Sequence, residues 1–323
     1  MKAAVLVGKQ QLEIWDVPKP EIGDKEVLVR LKACSVCNGT DSKLYKGSHA
    51  LVKYPAVIGH EAAGIVEAVG KDVTKLKVGD WVIGGGYPGT PELASLWGQY
   101  CEYGVTNEDF PVKIPDNVPI EEATLSIMLS EALNALRVGD IRPGDHILIL
   151  GAGAVGFSIL SMLKHTFPAV IIVVDINEEK LKIASKLGAD AVLNANDEKL
   201  ADKINEITKG KGINKLIEAV GSQQTYNIAF DLIAKNGIIV SFGMMESSLE
   251  IPFRTLYSKQ AQIRWCCNEG GNAKETRAIV LDMMHKGLID PSTLITSRIP
   301  LDNVTDAFEK IAAGTEIRVV LQL

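Results

Sequence analysis

The sequence contains no run of about 18 apolar residues, and this absence excludes a helix that spans a membrane. It has only five cysteines in 323 residues, an odd number that argues against a disulfide framework and favours a reducing compartment. The first apolar run soon meets Gly8 and Lys9, so we expect no signal peptide and a cytoplasmic location. A net charge of −6 provides no basic surplus, so neither nucleic acid nor a membrane is an expected partner.

The residues that are present suit an enzyme-sized protein with two domains. Hydrophobic residues make up 46% and charged residues 23% of the chain, which is about twice the usual length of one domain. Up to about Val138, short apolar runs are separated by Gly and Pro, as in "KEVLVRLKAC", "GIVEAVG" and "GDWVIGGG". This pattern predicts a mostly β domain with short helices over residues 1–138.

From residue 139 onward, apolar strand patterns alternate with amphipathic helical patterns. A helix is predicted near 223–235, and the predicted strands are "HILIL" (146–150), "AVIIVVD" (169–175), "NKLIEAV" (214–220) and "NGIIVSFG" (236–243). Such alternation is typical of an α/β fold with a doubly wound parallel sheet, here over residues 139–274. Residues 275–323 hold two helical segments and the apolar tail "RVVLQL", and we assign them to the first domain.

A glycine pattern of the form G-x-G-x-x-G directly follows the first of these strands and opens a predicted helix. Glycine permits the tight turn, lets the backbone approach a pyrophosphate and allows close packing, while the helix N-terminus offers free N–H groups. Asp175 ends the next strand, where a carboxylate accepts hydrogen bonds from the ribose and repels a 2′-phosphate. We therefore predict a site that prefers NAD over NADP; the alternative is a plain glycine turn beside a surface aspartate. The predicted contacts in the turn are Gly151, Gly153, Ala154, Val155 and Gly156.

Two further stretches, "CSVCNGTD" (34–41) and "PAVIGHEAAGIVEAVG" (55–70), resemble motifs of the zinc-containing alcohol dehydrogenases, within the medium-chain dehydrogenase/reductase superfamily. That family has a cysteine followed closely by Ser/Thr-Asp, then Gly-His-Glu, then a Val-Gly-Asp turn, matched here by residues 78–80. The resemblance covers nearly the whole chain, including "RPGD" before the glycine turn and "PLDNVTDAF" near the end. It implies a GroES-like, mostly β catalytic domain beside a Rossmann domain, with metal and nicotinamide meeting in the cleft between them.

The resemblance also implies a catalytic metal site. Cys37 and His60 would bind a Zn²⁺ ion that keeps one position open for a substrate oxygen, and Glu61 matches a neighbour that in some members also binds the metal. Asp41 matches the acid that orients the histidine. Other interpretations stay open, namely Cys37 as a buried thiol or as a redox pair with Cys34, and His60 as a hydrogen-bonded core residue.

The chain departs from the family pattern beside the cysteine. Thr40 matches the hydroxyl that hands on the substrate proton, but Asn38 and Gly39 both stand where the family usually has one residue. Lys43 falls where many members place a relay histidine, so proton release straight to water is an alternative.

The third protein ligand of the family is normally a Cys, Asp or Glu, and Ile127 occupies its position here. Glu131 lies one helical turn farther on, on the same face. A site of Cys37, His60 and Glu61, with Glu131 or water, is our hypothesis, and a weakened or empty metal site is the alternative. Many relatives hold a structural zinc with four cysteines, but the matching stretch has only Cys101, so we predict no structural zinc.

Further positions are assigned by the resemblance alone. Arg318 occupies a position that reaches the pyrophosphate in some relatives, and a solvated surface arginine is the alternative. Trp81, Tyr87 and Trp97 are candidates for the walls of the substrate pocket. The remaining expected cofactor contacts are Lys180, Val220 and Gly243.

The leading interpretation is an NAD-dependent alcohol or polyol dehydrogenase that transfers a hydride between a small alcohol, or its ketone or aldehyde, and nicotinamide. A metal-independent reductase of quinones or enones with the same fold is one alternative, and a nucleotide-binding relative without turnover is another. We expect a homodimer or a homotetramer, as in the family.

Overall fold

The computed structural model describes residues 1–166, 168–245, 248–267, 272–314 and 316–323. Its strands are β1 (Lys2–Gly8), β2 (Gln11–Asp16), β3 (Glu26–Ser35), β4 (Ala56–Val57), β5 (Ala62–Val69), β6 (Trp81–Ile83), β7 (Ala94–Ser95), β8 (Tyr103–Asn107), β9 (Val112–Lys113), β10 (His146–Leu150), β11 (Val170–Asp175), β12 (Ala191–Asn194), β13 (Ile213–Glu218), β14 (Ile233–Ser241), β15 (Gln262–Trp265), β16 (Ile295–Pro300) and β17 (Arg318–Gln322).

Its α-helices are α1 (Thr40–Tyr45), α2 (Ile120–Ala123), α3 (Ser126–Val138), α4 (Ala154–Thr166), α5 (Glu178–Lys186), α6 (Leu200–Ile207), α7 (Gln223–Leu232), α8 (Phe253–Lys259), α9 (Ala273–His285) and α10 (Val304–Ala312). Short 3-10 helices cover Pro291–Leu294 and Leu301–Asn303. Within the described ranges, no helix has both the length and the apolar character needed to cross a membrane.

The chain forms two compact units. The first comprises residues 1–127, 277–287 and 291–323, and the second comprises residues 128–276 and 288–290. This division falls inside α3 and inside α9, whereas the sequence predicted boundaries at residues 138 and 274.

The first unit is built mostly on antiparallel strand pairs, with β3 at its centre. The larger sheet has the order β16-β17-β3-β5-β6-β9, with β8 also paired to β3, and a smaller sheet has the order β2-β1-β4-β7. Along β3 the apolar Val29 and Leu31 are buried while Arg30 between them is exposed, as expected of a strand with one face on a core. The last strand of the chain, β17, completes this sheet by pairing antiparallel with β3.

The second unit contains a six-stranded, all-parallel sheet in the order β12-β11-β10-β13-β14-β15. The chain runs outward from β10 in one direction and then from β13 in the other, which is the doubly wound arrangement. Ile147, Leu148, Ile149 and Leu150 are all buried, because helices cover both faces of such a sheet. The predicted fold class, a mostly β domain together with a Rossmann domain, is confirmed.

One predicted helix differs from the structure. The sequence placed a helix near 223–235, but α7 ends at Leu232 and β14 begins at Ile233. Ile233 already has extended backbone and pairs with Ile213 of the neighbouring strand. The strand therefore begins before the helical pattern in the sequence ends, because the backbone of Ile233 pairs within the sheet.

The turn from β10 into α4 depends on the absence of side chains. Gly151 has a φ of +108°, and its N–H donates to the carbonyl oxygen of Val174 at 2.8 Å. A Cβ atom added to Gly156 would lie 2.0 Å from the carbonyl oxygen of Gly151. A Cβ atom added to Gly153 would meet nothing within 4 Å. The third glycine is therefore required for packing, and the second leaves open space in front of the turn.

The two glycines give a matched pair of variants. We expect Gly156→Ala to lower the free energy of unfolding by about 1–3 kcal/mol, because the backbone of the turn must move to admit a methyl group. Gly153→Ala should leave stability within about 0.5 kcal/mol of the parent protein. Denaturant unfolding of both variants measures this, and equal losses at the two positions would contradict the assigned roles.

Candidate active site

Three potential metal ligands come together in the first unit. Among the described residues, Cys37, His60 and Glu61 form a group whose potential ligand atoms all lie within 4.8 Å of one another. Cys37 follows β3, while His60 and Glu61 precede β5. Since β3 and β5 pair antiparallel with Cys34 opposite Ala62, the end of one strand lies beside the start of the other. The sheet register thus assembles the group.

A buried carboxylate lies beside the ring of His60. Its Nδ1 lies 3.2 Å from Oδ1 of Asp41, and its Nε2 lies 3.8 Å from Oε1 of Glu61. Asp41 is fully buried, and its Oδ2 accepts a hydrogen bond from the N–H of Cys37 at 2.9 Å. Nδ1 therefore faces the aspartate and Nε2 remains directed toward the ligand group, which is the arrangement that a metal-binding histidine requires.

The charges around His60 shift its titration. Burial alone lowers the pKa of His60, but the carboxylate of Asp41, helped by Cys37 and Glu61, outweighs burial and raises that pKa to about 12. Burial pushes the pKa of Asp41 upward, yet His60 and the donors around it hold that pKa below its ordinary value. This environment therefore favours the protonated imidazole, and a metal ion that binds His60 would have to displace that proton.

Glu61 is buried together with a compensating cation. Its Oε1 accepts a hydrogen bond from a guanidinium nitrogen of Arg318 at 2.7 Å, and Ser35 also donates to its carboxylate. Arg318 is only 1% exposed, and its other terminal nitrogen donates to the carbonyl oxygen of Val36 at 2.8 Å. The interpretation of Arg318 as a solvated surface residue is therefore wrong, because the carboxylate of Glu61 makes its burial favourable. Its contact with a pyrophosphate stays a prediction.

The donor set fits zinc. A thiolate, an imidazole and a carboxylate are the ligand types of catalytic zinc sites, which keep a fourth position open. The group reaches three ligands without Ile127, which is a buried apolar residue in α3. Glu131 belongs to the second unit; there burial raises the pKa of Cys266 to about 12 and the charge of Glu131 adds to that shift. A ligand role for Glu131 stays a prediction.

The neighbours of Cys37 show which chemistry the stretch "CSVCNGTD" (34–41) can support. Cys34 is fully buried in β3, and burial raises the pKa of its thiol well above the ordinary value. A thiol in that environment suits core packing and is a poor partner for thiol–disulfide exchange. Thr40 begins α1, and its backbone N–H lies 3.4 Å from Sγ of Cys37. The role of the Thr40 hydroxyl as a proton relay stays a prediction.

Two aromatic residues complete the surroundings of His60. The ring of Trp97 lies 5.2 Å from the imidazole ring, and this residue has a left-handed backbone with a φ of +64°. The hydroxyl of Tyr100 donates to Oδ2 of Asp41 at 2.6 Å. Sequence reasoning listed Trp97 as a candidate wall but missed Tyr100, because nothing in "GQYCEYG" indicates that its hydroxyl reaches a residue of α1.

The dinucleotide-type turn lies at the carboxyl ends of the parallel strands. Asp175 ends β11, and its carboxylate accepts hydrogen bonds from the N–H groups of Ala152 at 2.6 Å and Asn177 at 2.9 Å. The hydrogen bond from Ala152 thus links the glycine turn directly to the carboxylate that is predicted to bind the ribose. Ala154 and Val155 form the first turn of α4, behind the open space at Gly153.

The other predicted cofactor residues lie in the same unit. Lys180 is in the first turn of α5, where its N–H donates to the side chain of Asn177 at 3.2 Å. Val220 follows β13 and is 50% exposed. Gly243 follows β14, where an added Cβ atom would lie 2.2 Å from the backbone nitrogen of Gly221.

A buried carboxylate at the start of residues 218–221, a segment that the resemblance places beside the adenine, supports those last loops. Glu218 ends β13 with no exposed surface, and burial raises the pKa of its carboxyl group. Its Oε1 accepts hydrogen bonds from the N–H groups of Val220 at 3.0 Å and Gly221 at 2.9 Å. It also accepts one from the hydroxyl of Thr225 at 2.8 Å. These hydrogen bonds to Glu218 therefore fix the backbone conformation of the loop that follows β13.

A dinucleotide-type turn on a parallel sheet and a cysteine–histidine–glutamate group on a β unit define nicotinamide-dependent dehydrogenases with a metal-binding catalytic domain. The chain matches the family described as zinc-binding dehydrogenase over residues 154–286. It also matches the alcohol dehydrogenase GroES-like domain over residues 23–116. The chain belongs to the zinc alcohol dehydrogenase family of the medium-chain dehydrogenases/reductases, as the sequence predicted.

Relatives of known type match the chain along nearly its whole length. It is 32% identical to an alcohol dehydrogenase of Geobacillus stearothermophilus, with 100% of both chains covered. It is 30% identical to a sorbitol dehydrogenase of Arabidopsis thaliana, with 99% of this chain and 95% of the relative covered. An Escherichia coli CFT073 alcohol dehydrogenase solved with NADH superposes with a TM-score of 0.89 at 28% identity, over 100% of this chain and 99% of that one. The predicted enzyme class, an alcohol or polyol dehydrogenase that uses nicotinamide, is confirmed.

The assignment of Asp175 can be tested by its removal. We expect Asp175→Gly to reduce the preference for NAD over NADP by about tenfold, or roughly 1.4 kcal/mol, because the carboxylate no longer repels a 2′-phosphate. Asp190→Gly is a control in the same sheet, since Asp190 precedes β12 and accepts from the N–H of Ile171 at 2.8 Å. Binding titrations with NADH and NADPH measure the ratio. An unchanged ratio in Asp175→Gly removes the assignment.

Proposed function

We propose that this chain is an NAD-dependent dehydrogenase of small alcohols or polyols that holds one zinc ion at Cys37, His60 and Glu61. The proposal rests on one observation, the convergence of a thiol, an imidazole and a carboxylate within 4.8 Å in the unit that matches the GroES-like domain. The named relatives that act on simple alcohols and on sorbitol support the substrate class.

The charges of the site favour a divalent cation. With a metal bound, Cys37, Glu61 and Asp41 are three anionic groups, and Arg318 supplies one cationic group. The excess of negative charge is what a buried divalent ion balances. When bound, zinc supplies a Lewis acid that polarises the substrate oxygen and lowers the pKa of the alcohol.

The protein residues hold the site in place around the reacting groups. Asp41 fixes the tautomer and orientation of His60, and Arg318 forms a buried ion pair with Glu61. In this proposal the hydroxyl of Thr40, at the start of α1 beside Cys37, accepts the substrate proton and passes its own proton on to water. Trp97 forms a wall next to His60, where its half-exposed ring contacts the carbon skeleton of the substrate.

On the second unit, Asp175 binds the adenosine ribose and selects NAD. Its carboxylate is held beside the glycine turn by the N–H groups of Ala152 and Asn177, which fixes where a ribose hydroxyl would donate. Lys180, Val220, Gly243 and Arg318 are proposed to contact the cofactor. A cytoplasmic homodimer or homotetramer stays part of the proposal.

The alternatives are less favoured by the geometry. A metal-independent reductase would not need three potential metal ligands supported by Asp41 and Arg318. The apolar Ile127 at the usual position of the third ligand is the one feature that favours this alternative. A nucleotide-binding relative without turnover would bind NADH tightly and oxidise none of it across a panel of alcohols, carbonyls and enones.

Metal analysis and substitution test the proposal together. Protein purified without chelators should contain about one equivalent of zinc, because the described residues form one three-ligand group and the stretch around Cys101 holds a single cysteine. Cys37→Ser should lose zinc and turnover together, since a neutral hydroxyl replaces the thiolate. The exposed Cys267 provides the control variant Cys267→Ser, which should keep both.

Elemental analysis and a substrate panel with NAD and NADP, run with and without added zinc, provide the measurements. Less than about a tenth of an equivalent of zinc in fully active protein would end the zinc proposal. A fully active Cys37→Ser would do the same.

A further inference from the structure

We propose that Tyr100 is a positioning residue of the metal site, whose hydroxyl fixes Asp41 and through it the orientation of His60. This inference rests on the proposed zinc site and goes beyond it, because Tyr100 touches neither metal ligand side chains nor substrate in that proposal. It assigns a function to one buried hydroxyl group rather than to the aromatic ring.

The two oxygens of Asp41 are used differently. Oδ2 accepts from the hydroxyl of Tyr100 at 2.6 Å and from the N–H of Cys37 at 2.9 Å. Oδ1 lies 3.2 Å from Nδ1 of His60. The distance of 2.6 Å is that of a charge-assisted O–H···O⁻ bond, which is about twice as strong as a neutral one. Two donors on Oδ2 therefore hold the carboxylate so that Oδ1 points at the imidazole.

Tyr100 can position Asp41 because the backbone and the ring of Tyr100 are themselves fixed by their surroundings. It has no exposed surface, its N–H donates to the carbonyl oxygen of Ile58 at 2.9 Å, and its carbonyl oxygen accepts from Ala4 at 2.8 Å. Its ring lies against Gly59, where an added Cβ atom would be 2.3 Å from the ring. Gly59 has a φ of +94° and directly precedes His60. One residue thus contacts both the backbone before His60 and the carboxylate behind its ring.

The hydroxyl is a donor under all ordinary conditions. Burial, and then the charge of Asp41, raise the pKa of Tyr100 well above its ordinary value, so the phenol stays protonated. A neutral phenol offers one O–H donor. Its removal leaves a buried carboxylate with one donor fewer, and such a group is free to turn or to recruit water.

The competing explanation is that Tyr100 only fills the core. Its ring packs edge-on against Phe308 at a centroid distance of 6.5 Å, and Tyr45 stacks on the same ring at 4.5 Å. If packing were its whole role, phenylalanine would serve equally well at position 100. The hydroxyl group separates the two explanations.

The test compares zinc affinities of matched variants. Tyr100→Phe keeps the ring and removes the hydroxyl. Tyr45→Phe makes the same change in the same aromatic cluster, at a hydroxyl that is influenced by the charge of Glu309 and makes no hydrogen bond to Asp41. Metal-depleted protein is titrated with zinc against a chromogenic chelator, and melting temperatures confirm folding. We expect Tyr100→Phe to bind zinc about 10- to 100-fold more weakly, as for other groups behind a metal-binding histidine, and Tyr45→Phe to remain within about twofold of the parent.

A double-mutant cycle shows whether the effect passes through Asp41. Asp41→Asn should weaken zinc binding by itself, and adding Tyr100→Phe to it should cause little further loss. Zinc affinity of Tyr100→Phe within about twofold of the parent, or additive losses in the double variant, would overturn the role of Tyr100 while leaving the zinc site intact. A parent protein that binds no zinc would instead overturn the proposed function and this inference with it.

Discussion

The antiparallel pairing of β3 with β5 is the constraint on which the proposed metal-binding group depends. Cys34 lies opposite Ala62, so Cys37 beyond the end of β3 comes beside His60 and Glu61 before the start of β5. A shift of one residue in this register would move all the buried side chains of the strand to the opposite face. The buried Val29 and Leu31 on β3 therefore fix the register, and core packing indirectly sets the distances between the ligands.

Around this group, buried charges are balanced locally. Arg318 enters from the last strand of the chain and pairs with Glu61, while Asp41 pairs with His60. An isolated buried charge would cost several kcal/mol, so each of these groups requires its partner to be present. The C-terminal strand β17 is consequently part of the site as well as of the sheet, because Arg318 is its first residue.

The nucleotide-binding unit follows a different principle, in which the backbone carries the geometry. Gly151 adopts a left-handed conformation, Gly156 leaves no room for a methyl group and Glu218 holds the loop after β13 through its N–H groups. Parallel strands place all of these features at one edge of the sheet. Local patterns could predict this unit well because a strand, a glycine turn and a helix are contiguous in sequence. The end of α7 was misplaced because pairing of Ile233 with Ile213 is a nonlocal event.

Local patterns were enough to predict the two-domain α/β fold and the glycine turn with Asp175, and the resemblance to a known family added Cys37, His60 and Glu61 as ligand candidates. The burial of Arg318 against Glu61 and the bond from Tyr100 to Asp41 became visible only in the folded protein. Those contacts join residues far apart in the chain, and a hydrogen bond between distant segments leaves no periodicity or spacing to read. Burial in a common core is what gives these polar groups their partners, because a polar group shielded from water must find one within the protein.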